Sequence, residues 1–379
     1  MSQEIYYDNS ATTKTREESA KLVYEMLTEC YGNPSSLHRK GFEAQKRLDT
    51  AREQIARSLH CGSDEIYFTS GGTEADDLAI LGAARAQKRR GNKIVTTAIE
   101  HDAVLNTVKF LESEGWEIIR LVPNSQGQIT PEQVLEAVDE KTILFSMMAV
   151  NNEIGSILPV AQISRILRKK YPNLLIHCDA VQAYCKEPIK LGKSFDVDFL
   201  SVSGHKIYAP KGSGVLYIKK GSRFRPVTFG GGQEKNIRPG TEGIANACAM
   251  GLSAELLCRE MEDNHRRITD IRDALLEGLT KLPDICINSP SDATPYILNF
   301  SALGVRSEIM LHFLEEKKIY VSSGSACAKG GASHVLSAIG LDHSRADSAI
   351  RLSFGRYNTL EEVPVFLEAL AEGLKRFRK

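Results

Sequence analysis

The first chemical feature of this sequence is a lysine at the end of an apolar strand. Ser203-Gly204-His205-Lys206 directly follows the run Val197 to Val202. Removing an ammonium group from water lowers its pKa and leaves a nucleophilic amine at neutral pH. Taken alone, Lys206 is better read as a surface lysine. Its neighbours change that reading. One strand-helix unit upstream, Leu174-Leu175-Ile176-His177-Cys178-Asp179 ends in a carboxylate. Gly71-Gly72-Thr73 opens another helix, where free backbone N–H groups and the helix dipole favour an anion. Ser203 and His205 add side-chain donors beside the lysine. An amine, an acid and an anion cradle are the three requirements of pyridoxal 5'-phosphate: a Schiff-base lysine, a holder for the pyridinium proton, and donors for the phosphate. His177 with Cys178 reads either as core or as metal ligands. No second His/Cys pair lies at ligand spacing, so no metal is expected.

The elements that must position these groups alternate between strands and helices. Glu65 to Phe68, Lys93 to Thr97, Thr142 to Met148, Leu174 to His177 and Asp198 to Val202 are short, near-continuous apolar runs. Such runs suit strands buried on both faces of a parallel sheet. Glu74 to Arg90 reads as a helix, as does the segment from Glu100-His101-Asp102 to near Gly115. The alternation predicts a doubly wound α/β domain. Polar residues gather just after the strands: Thr73, His101, Asn152, Asp179 with Gln182, and Ser203 with His205 and Lys206. In open α/β sheets ligands bind beyond the carboxyl ends of the strands, so these loops are expected to converge on one pocket. The last third has a different texture. A long helix over Ala245 to Arg272, interrupted only by Gly251, leads to short strands at Tyr296 to Phe300, Ile319 to Ser322 and Ala349 to Ser353. Helical periodicity covers Ser307 to Lys317 and Leu360 to Lys375. The expected division is a large domain over 15–255 and a smaller α+β domain formed by 1–14 and 256–379.

The 379 residues carry 48 Lys+Arg against 48 Asp+Glu, with 42% hydrophobic and 25% charged residues. That composition is an ordinary globular one, with no global field to attract nucleic acid or anionic lipid. The N-terminal residues, with an acid at Glu4, do not read as a signal peptide. The most apolar run, Ile143 to Val150, is too short to span a bilayer. Cysteines at 30, 61, 178, 185, 248, 258, 286 and 327 form no CxxC pair. A reducing cytoplasm is the expected compartment, and each cysteine is by default a small buried hydrophobe.

Eight motifs in order carry a family resemblance. They are Tyr7-Asp8-Asn9-Ser10-Ala11-Thr12-Thr13, Gly32-Asn33-Pro34-Ser35-Ser36, Gly71-Gly72-Thr73-Glu74, Glu100-His101, Asn151-Asn152-Glu153-Ile154-Gly155, Asp179-Ala180-Val181-Gln182, Ser203-Gly204-His205-Lys206 and Ser323-Gly324-Ser325-Ala326-Cys327. Together they resemble the NifS/IscS-type cysteine desulfurases of the class V aminotransferase family, which are fold-type I pyridoxal phosphate enzymes. The likeness runs from residue 6 to beyond Arg356. It implies that Lys206 bonds the cofactor, Asp179 partners the pyridine nitrogen, and His101 stacks on the ring and handles protons. It further implies that Asn152 and Gln182 contact the ring oxygen and substrate side, and that Gly72, Thr73, Ser203 and His205 belong to the phosphate site. Thr241, in Arg238-Pro239-Gly240-Thr241, matches a threonine that such enzymes contribute from the second subunit, so a homodimer is expected. Asn33 and Arg351 match substrate contacts, and a bidentate guanidinium suits a carboxylate.

Cys327 decides the reaction. Among the eight cysteines its setting alone, a run of small residues flanked by glycines, reads as neither strand nor helix, and Lys329 nearby favours a thiolate. The resemblance implies conversion of L-cysteine to L-alanine with a persulfide on Cys327. The sulfur then passes to an acceptor protein of iron-sulfur cluster assembly or tRNA thiolation, and Cys327 is a possible ligand in cluster transfer. Selenocysteine lyase or another pyridoxal phosphate lyase or aminotransferase needs the same pocket without that thiol. A non-turnover sulfur carrier would not need Lys206, Asp179 and His101 together. Neither nucleic acid nor membrane is expected as a direct partner.

Overall fold

The computed structural model describes residues 4–192, 194–323 and 333–378. Its centre is a seven-stranded sheet in the order Ile66–Thr69, Gly214–Ile218, Phe199–Ser203, Leu175–Asp179, Thr142–Ser146, Lys93–Thr97, Glu117–Leu121. All neighbours pair parallel except Gly214–Ile218, which runs antiparallel to both of its partners. The fold is therefore the expected α/β one with a mostly parallel sheet.

Two apolar layers explain why the strands read as continuous hydrophobic runs. Ile94, Leu144, Leu175, Phe199 and Leu216 face one layer with Leu78, Ala79 and Ala83 of the Gly72–Gln87 helix. Their chain neighbours Val95, Phe145, Ile176, Leu200 and Val215 face the other, with Leu48 and Ile55 of the Arg39–Leu59 helix. Alternation by two residues thus buries every position of the inner strands.

The Ile244–Thr280 helix extends eight residues beyond the expected Arg272, because Ile268, Ile271, Leu275 and Leu279 carry its buried stripe onward. Gly251 does not interrupt it. A Cβ there would stand 2.9 Å from Ala51 Cα and 3.0 Å from Ala51 O. The glycine lets two helix backbones touch.

A second, antiparallel sheet follows the order Ser322–Ser323, Ala349–Ser353, Ile297–Ala302, Ile285–Ile287. The expected strand over Ile319 to Ser322 divides here. Ile319–Tyr320 pairs in parallel with the N-terminal Ile5–Tyr6, while Ser322–Ser323 pairs with Ile350 and Arg351. This pairing delivers Asp8 and Ser10 beside Ser353, through the Asp8–Ser353 bridge and the Ser10 N–H on Ser353 Oγ at 2.8 Å. No described helix is long and apolar enough to cross a membrane.

Candidate active site

The strand ends open into one cavity of about 480 Å³. Gly72, Thr73, His101, Asn152, Asp179 and Gln182 line it, as do Ser203, His205, Lys206 and Arg351. All but Arg351 stand at or just beyond the carboxyl ends of the large sheet's strands, which is the expected convergence, while Arg351 comes from a strand of the second sheet.

Lys206 ends the short 3-10 turn Gly204–Lys206 that follows the Phe199–Ser203 strand. Its Nζ donates to the carbonyl of Ala11 at 2.7 Å and to that of Ser10. Gln182 Nε2 donates to the same Ser10 carbonyl at 3.0 Å, and Lys186 Nζ reaches Gln182 Oε1 at 3.5 Å. Burial, then Lys186 and Arg351, lowers the Lys206 amine to about 7, against the pull of Asp8 and Asp179. The beside-strand position therefore does what desolvation predicts. His205 is held by Thr12 Oγ1 at 3.2 Å, and burial followed by Lys206 lowers its ring to about 4, so it is neutral at physiological pH.

Asp179 occupies the last position of its strand, with Oδ1 accepting the Val181 N–H at 2.9 Å. Burial and then Asp76 raise its carboxyl to about 7. Gly72 packs the neighbouring helix against this loop, since a Cβ would meet Val181 Cγ2 at 2.7 Å. The helix N-terminus and the Asp179 loop consequently form one wall. His101 caps the Asp102–Ser113 helix, its Nδ1 accepting the Ala103 N–H at 3.1 Å. With Nδ1 occupied as an acceptor, Nε2 is the nitrogen that carries the proton of a neutral ring.

Arg351 projects from the Ala349–Ser353 strand of the second sheet. Its Nη2 pairs with Asp8 at 2.9 Å and its Nη1 donates to the Asn152 carbonyl at 2.9 Å. Nε is buried with no hydrogen-bond partner among the described residues. A guanidinium that lines the cavity and keeps its Nε unpartnered suits a carboxylate ligand.

The structure does not bring Asn33 or Thr241 to this cavity. Asn33 Oδ1 closes its own turn on the Ser35 N–H at 2.9 Å. Thr241 is exposed on the loop after Gly240. Cys327 lies outside the described residues, but Ser322, Ser323 and Ser333 on either side of 324–332 line the cavity. Among the described residues no cluster of His, Cys, Asp and Glu could hold a metal, and His177 is instead bonded to Ser146 Oγ at 2.8 Å and Ser201 Oγ at 3.0 Å.

Several lining or supporting residues had no role assigned from sequence. Asp8 and Ser10 sit in a recognised motif without an evident function until the N-terminal strand is paired. Asp76 also lines the cavity, fully buried, its carboxyl raised to about 8 by burial and one oxygen unpartnered. Glu100, raised to about 8 by the same cause, accepts from Thr97 Oγ1 at 2.6 Å and from the Met148 N–H at 3.0 Å. Its carbonyl holds His334 Nε2 at 3.0 Å, which ties the chain after residue 332 to the His101 loop.

Residues 5–366 match the model of the aminotransferase class-V family. The cysteine desulfurase IscS of Clostridium botulinum is 40% identical over 385 aligned positions, covering 100% of this chain and 96% of that protein. A solved structure of a NifS-like protein superposes with a TM-score of 0.93 at 36% identity, covering 98% of this chain and 100% of the other. A structure of SspA in complex with cysteine has a TM-score of 0.83 at 31% identity, covering 94% of this chain and 100% of its own. Matched over its whole length in sequence and in fold, the chain belongs to the class-V aminotransferase family, among its cysteine desulfurases of the IscS and NifS type.

Proposed function

We propose that this chain is a pyridoxal 5'-phosphate-dependent cysteine desulfurase that converts L-cysteine to L-alanine and leaves the sulfur as a persulfide on Cys327. The observation that carries the reading is the cavity that holds a deprotonatable amine, a buried carboxyl and an arginine edge together. The residues fit the cofactor. A cavity of about 480 Å³ lies in the range that encloses a small cofactor with its substrate. The N-terminus of the Gly72–Gln87 helix, with Thr73, Ser203 and His205, offers neutral donors suited to a phosphate. Asp179 has an oxygen beyond the one held by Val181 for a pyridinium proton.

When bound, pyridoxal phosphate supplies the aldehyde that bonds an amine and a protonated ring that withdraws electrons. The chain's own residues do the rest. Lys206, whose amine titrates at about 7 and so has a large free fraction at neutral pH, takes the Cα proton of cysteine at Nζ. Asp179 holds the ring proton in place, and Arg351 fixes the substrate carboxylate through paired N–H groups. His101 exchanges protons at Nε2. The Cys327 thiolate attacks the cysteine sulfur: the S–S bond of the persulfide forms, the substrate Cβ–S bond breaks, and its electron pair goes to Cβ, which takes a proton before alanine leaves.

A homodimer is part of the proposal, supported by the distance of Thr241 and Asn33 from the cavity of their own chain. A sulfur-acceptor protein of iron-sulfur assembly or tRNA thiolation, and a cytoplasmic site of action, belong to the same reading.

The test is alanine and sulfide release from L-cysteine by the reconstituted protein with a thiol reductant. Cys327→Ala is expected to keep the yellow cofactor absorbance and lose sulfide release, and Lys206→Ala to lose turnover entirely. Full sulfide release by Cys327→Ala would refute the persulfide route. Failure of the protein to take up pyridoxal phosphate would refute the cofactor assignment.

A further inference from the structure

Two cysteines outside the active cavity face each other. Cys185, buried in the turn that follows Asp179, and Cys258, half-buried on the Ile244–Thr280 helix, have Sγ atoms 3.8 Å apart. Both line a separate cavity of about 180 Å³ bounded by Arg57, His60, Lys190 and Met261. Small solutes thus have room beside the sulfur pair, bordered by these basic groups and by Glu187.

We propose that Cys185 and Cys258 are a dithiol that a peroxide oxidises to an intramolecular disulfide, tying the Asp179–Lys186 segment to the long helix. Cys258 is the less buried partner, and its contact with the Cys185 thiol lowers its own thiol below the ordinary value, so the attack is assigned to its sulfur. Its sulfur attacks one peroxide oxygen, the O–O bond breaks, and a sulfenic acid forms as the departing hydroxide takes a proton to become water. Cys185 then attacks the oxidised sulfur, an S–S bond forms, and the second oxygen leaves as water. Two thiols and one hydrogen peroxide give one disulfide and two waters, the sulfurs losing the two electrons that the oxygens gain.

Geometry favours closure. A disulfide needs an S–S separation of about 2.05 Å, so the sulfurs approach by under 2 Å from their present contact. Cys185 already has a left-handed backbone, with φ of 58°, in a short loop without regular structure. Oxidation would restrain a segment with direct reach into the active cavity. Gln182 lies three residues away and Lys186 is adjacent, and these two are linked to each other and, through Ser10, to Lys206.

The test uses the full-length, cofactor-loaded protein, reduced and then exposed to graded hydrogen peroxide. Free thiols are blocked under denaturing conditions and the digest is mapped by mass spectrometry. The expected product is a peptide pair joined through Cys185 and Cys258 that dithiothreitol separates. Amide hydrogen exchange across 180–187 should slow several-fold on oxidation, and peroxide should leave that exchange unchanged in Cys258→Ser. A Cys258 that proceeds to sulfinic acid or bonds another thiol while Cys185 stays free would overturn the proposal. So would both thiols remaining reduced at a peroxide dose that oxidises other cysteines of the chain. Mapping of the unmutated protein decides the matter even if the serine variant folds poorly.

Discussion

Lys206 should titrate near neutral pH in the cofactor-free protein, and Lys186 should be one of the causes. Burial is the largest contributor to the fall from 10.5 to about 7, followed by Lys186 and Arg351, with Asp8 and Asp179 opposing. The fall corresponds to roughly 5 kcal/mol against the charged form. At pH 7 about half of the Lys206 amines are then free, against roughly three in ten thousand for an ordinary lysine, a gain on the order of a thousand-fold. Lys186 is itself lowered to about 8 by burial. It is therefore still about nine-tenths protonated where Lys206 titrates, and its charge is felt. Because the folded state holds the Lys206 proton less tightly than the unfolded chain, this group weighs fully against folding below about pH 7. That burden lifts as pH rises from about 7 toward 10.5.

Competitive labelling with trace acetic anhydride between pH 5.5 and 10.5, read on the Lys206 peptide by mass spectrometry, measures the midpoint directly. A midpoint near 7 is expected in the cofactor-free protein. In Lys186→Met it should rise by on the order of one unit, since one charge is removed while burial remains. Lys186→Arg should keep the low midpoint, because the positive charge is retained. A midpoint near 10 in the unmutated protein, or no movement in Lys186→Met, would show that the cation cluster does not govern this amine.

Three further outcomes follow from the same geometry. Arg351→Lys keeps a charge but loses the planar pair of donors, so KM for cysteine should rise roughly ten- to a hundred-fold with a smaller change in kcat, as steady-state kinetics will show. Asp179→Asn should abolish most turnover while making the cofactor-free protein more stable at pH 8. A buried carboxyl raised to about 7 disfavours folding above that pH and ceases to do so toward pH 4, so thermal melts of the two proteins should converge on acidification. Gly251→Ala should lower stability by about 1–3 kcal/mol in urea titrations despite the better helix propensity of alanine, because the added methyl meets the Ala51 backbone.

Much of this site is legible in the sequence because parallel sheets expose their chemistry in a regular way. Apolar runs such as Thr142–Ser146 are buried throughout, and the polar residues immediately after them have one direction in which to point. Two elements of the sheet escape that reading for different reasons. Glu117–Leu121 is an edge strand with an exposed, charged start. Gly214–Ile218 is as apolar as its neighbours, and only the short return from the Lys206 loop makes it antiparallel. Asp76 stands beside Asp77 in a helix and reads as a solvated acid. The packing of that helix on the sheet buries the first and leaves the second half-covered, bonded to Thr107. Asp8 and Ser10 gain meaning only when Ile5–Tyr6 crosses to Ile319–Tyr320, a pairing of more than 300 residues in sequence separation that no local pattern records.

The cavity keeps its unlike charges from cancelling, and that separation makes the site chemically responsive. Asp179, with Asp76 and Glu100 nearby, stands on the strand and helix ends of the large sheet; Arg351 comes from the second sheet and meets Lys186 and Lys206 from the other side. Of the three cations, Arg351 alone has a direct carboxylate partner among the described residues, Asp8. Burial consequently acts on Lys206 and Asp179 with little relief, moving the amine down from 10.5 and the acid up from 3.8 until both lie at about 7. A base and an acid that would titrate far apart in the unfolded chain are thus poised at the same pH in the folded one. Lys206 can then take and return the proton of the substrate carbon at little cost in either direction, while Asp179 is free to hold the proton of the cofactor ring. A salt bridge between Lys206 and Asp179 would have stabilised the fold, but it would have fixed both charges and removed that capacity.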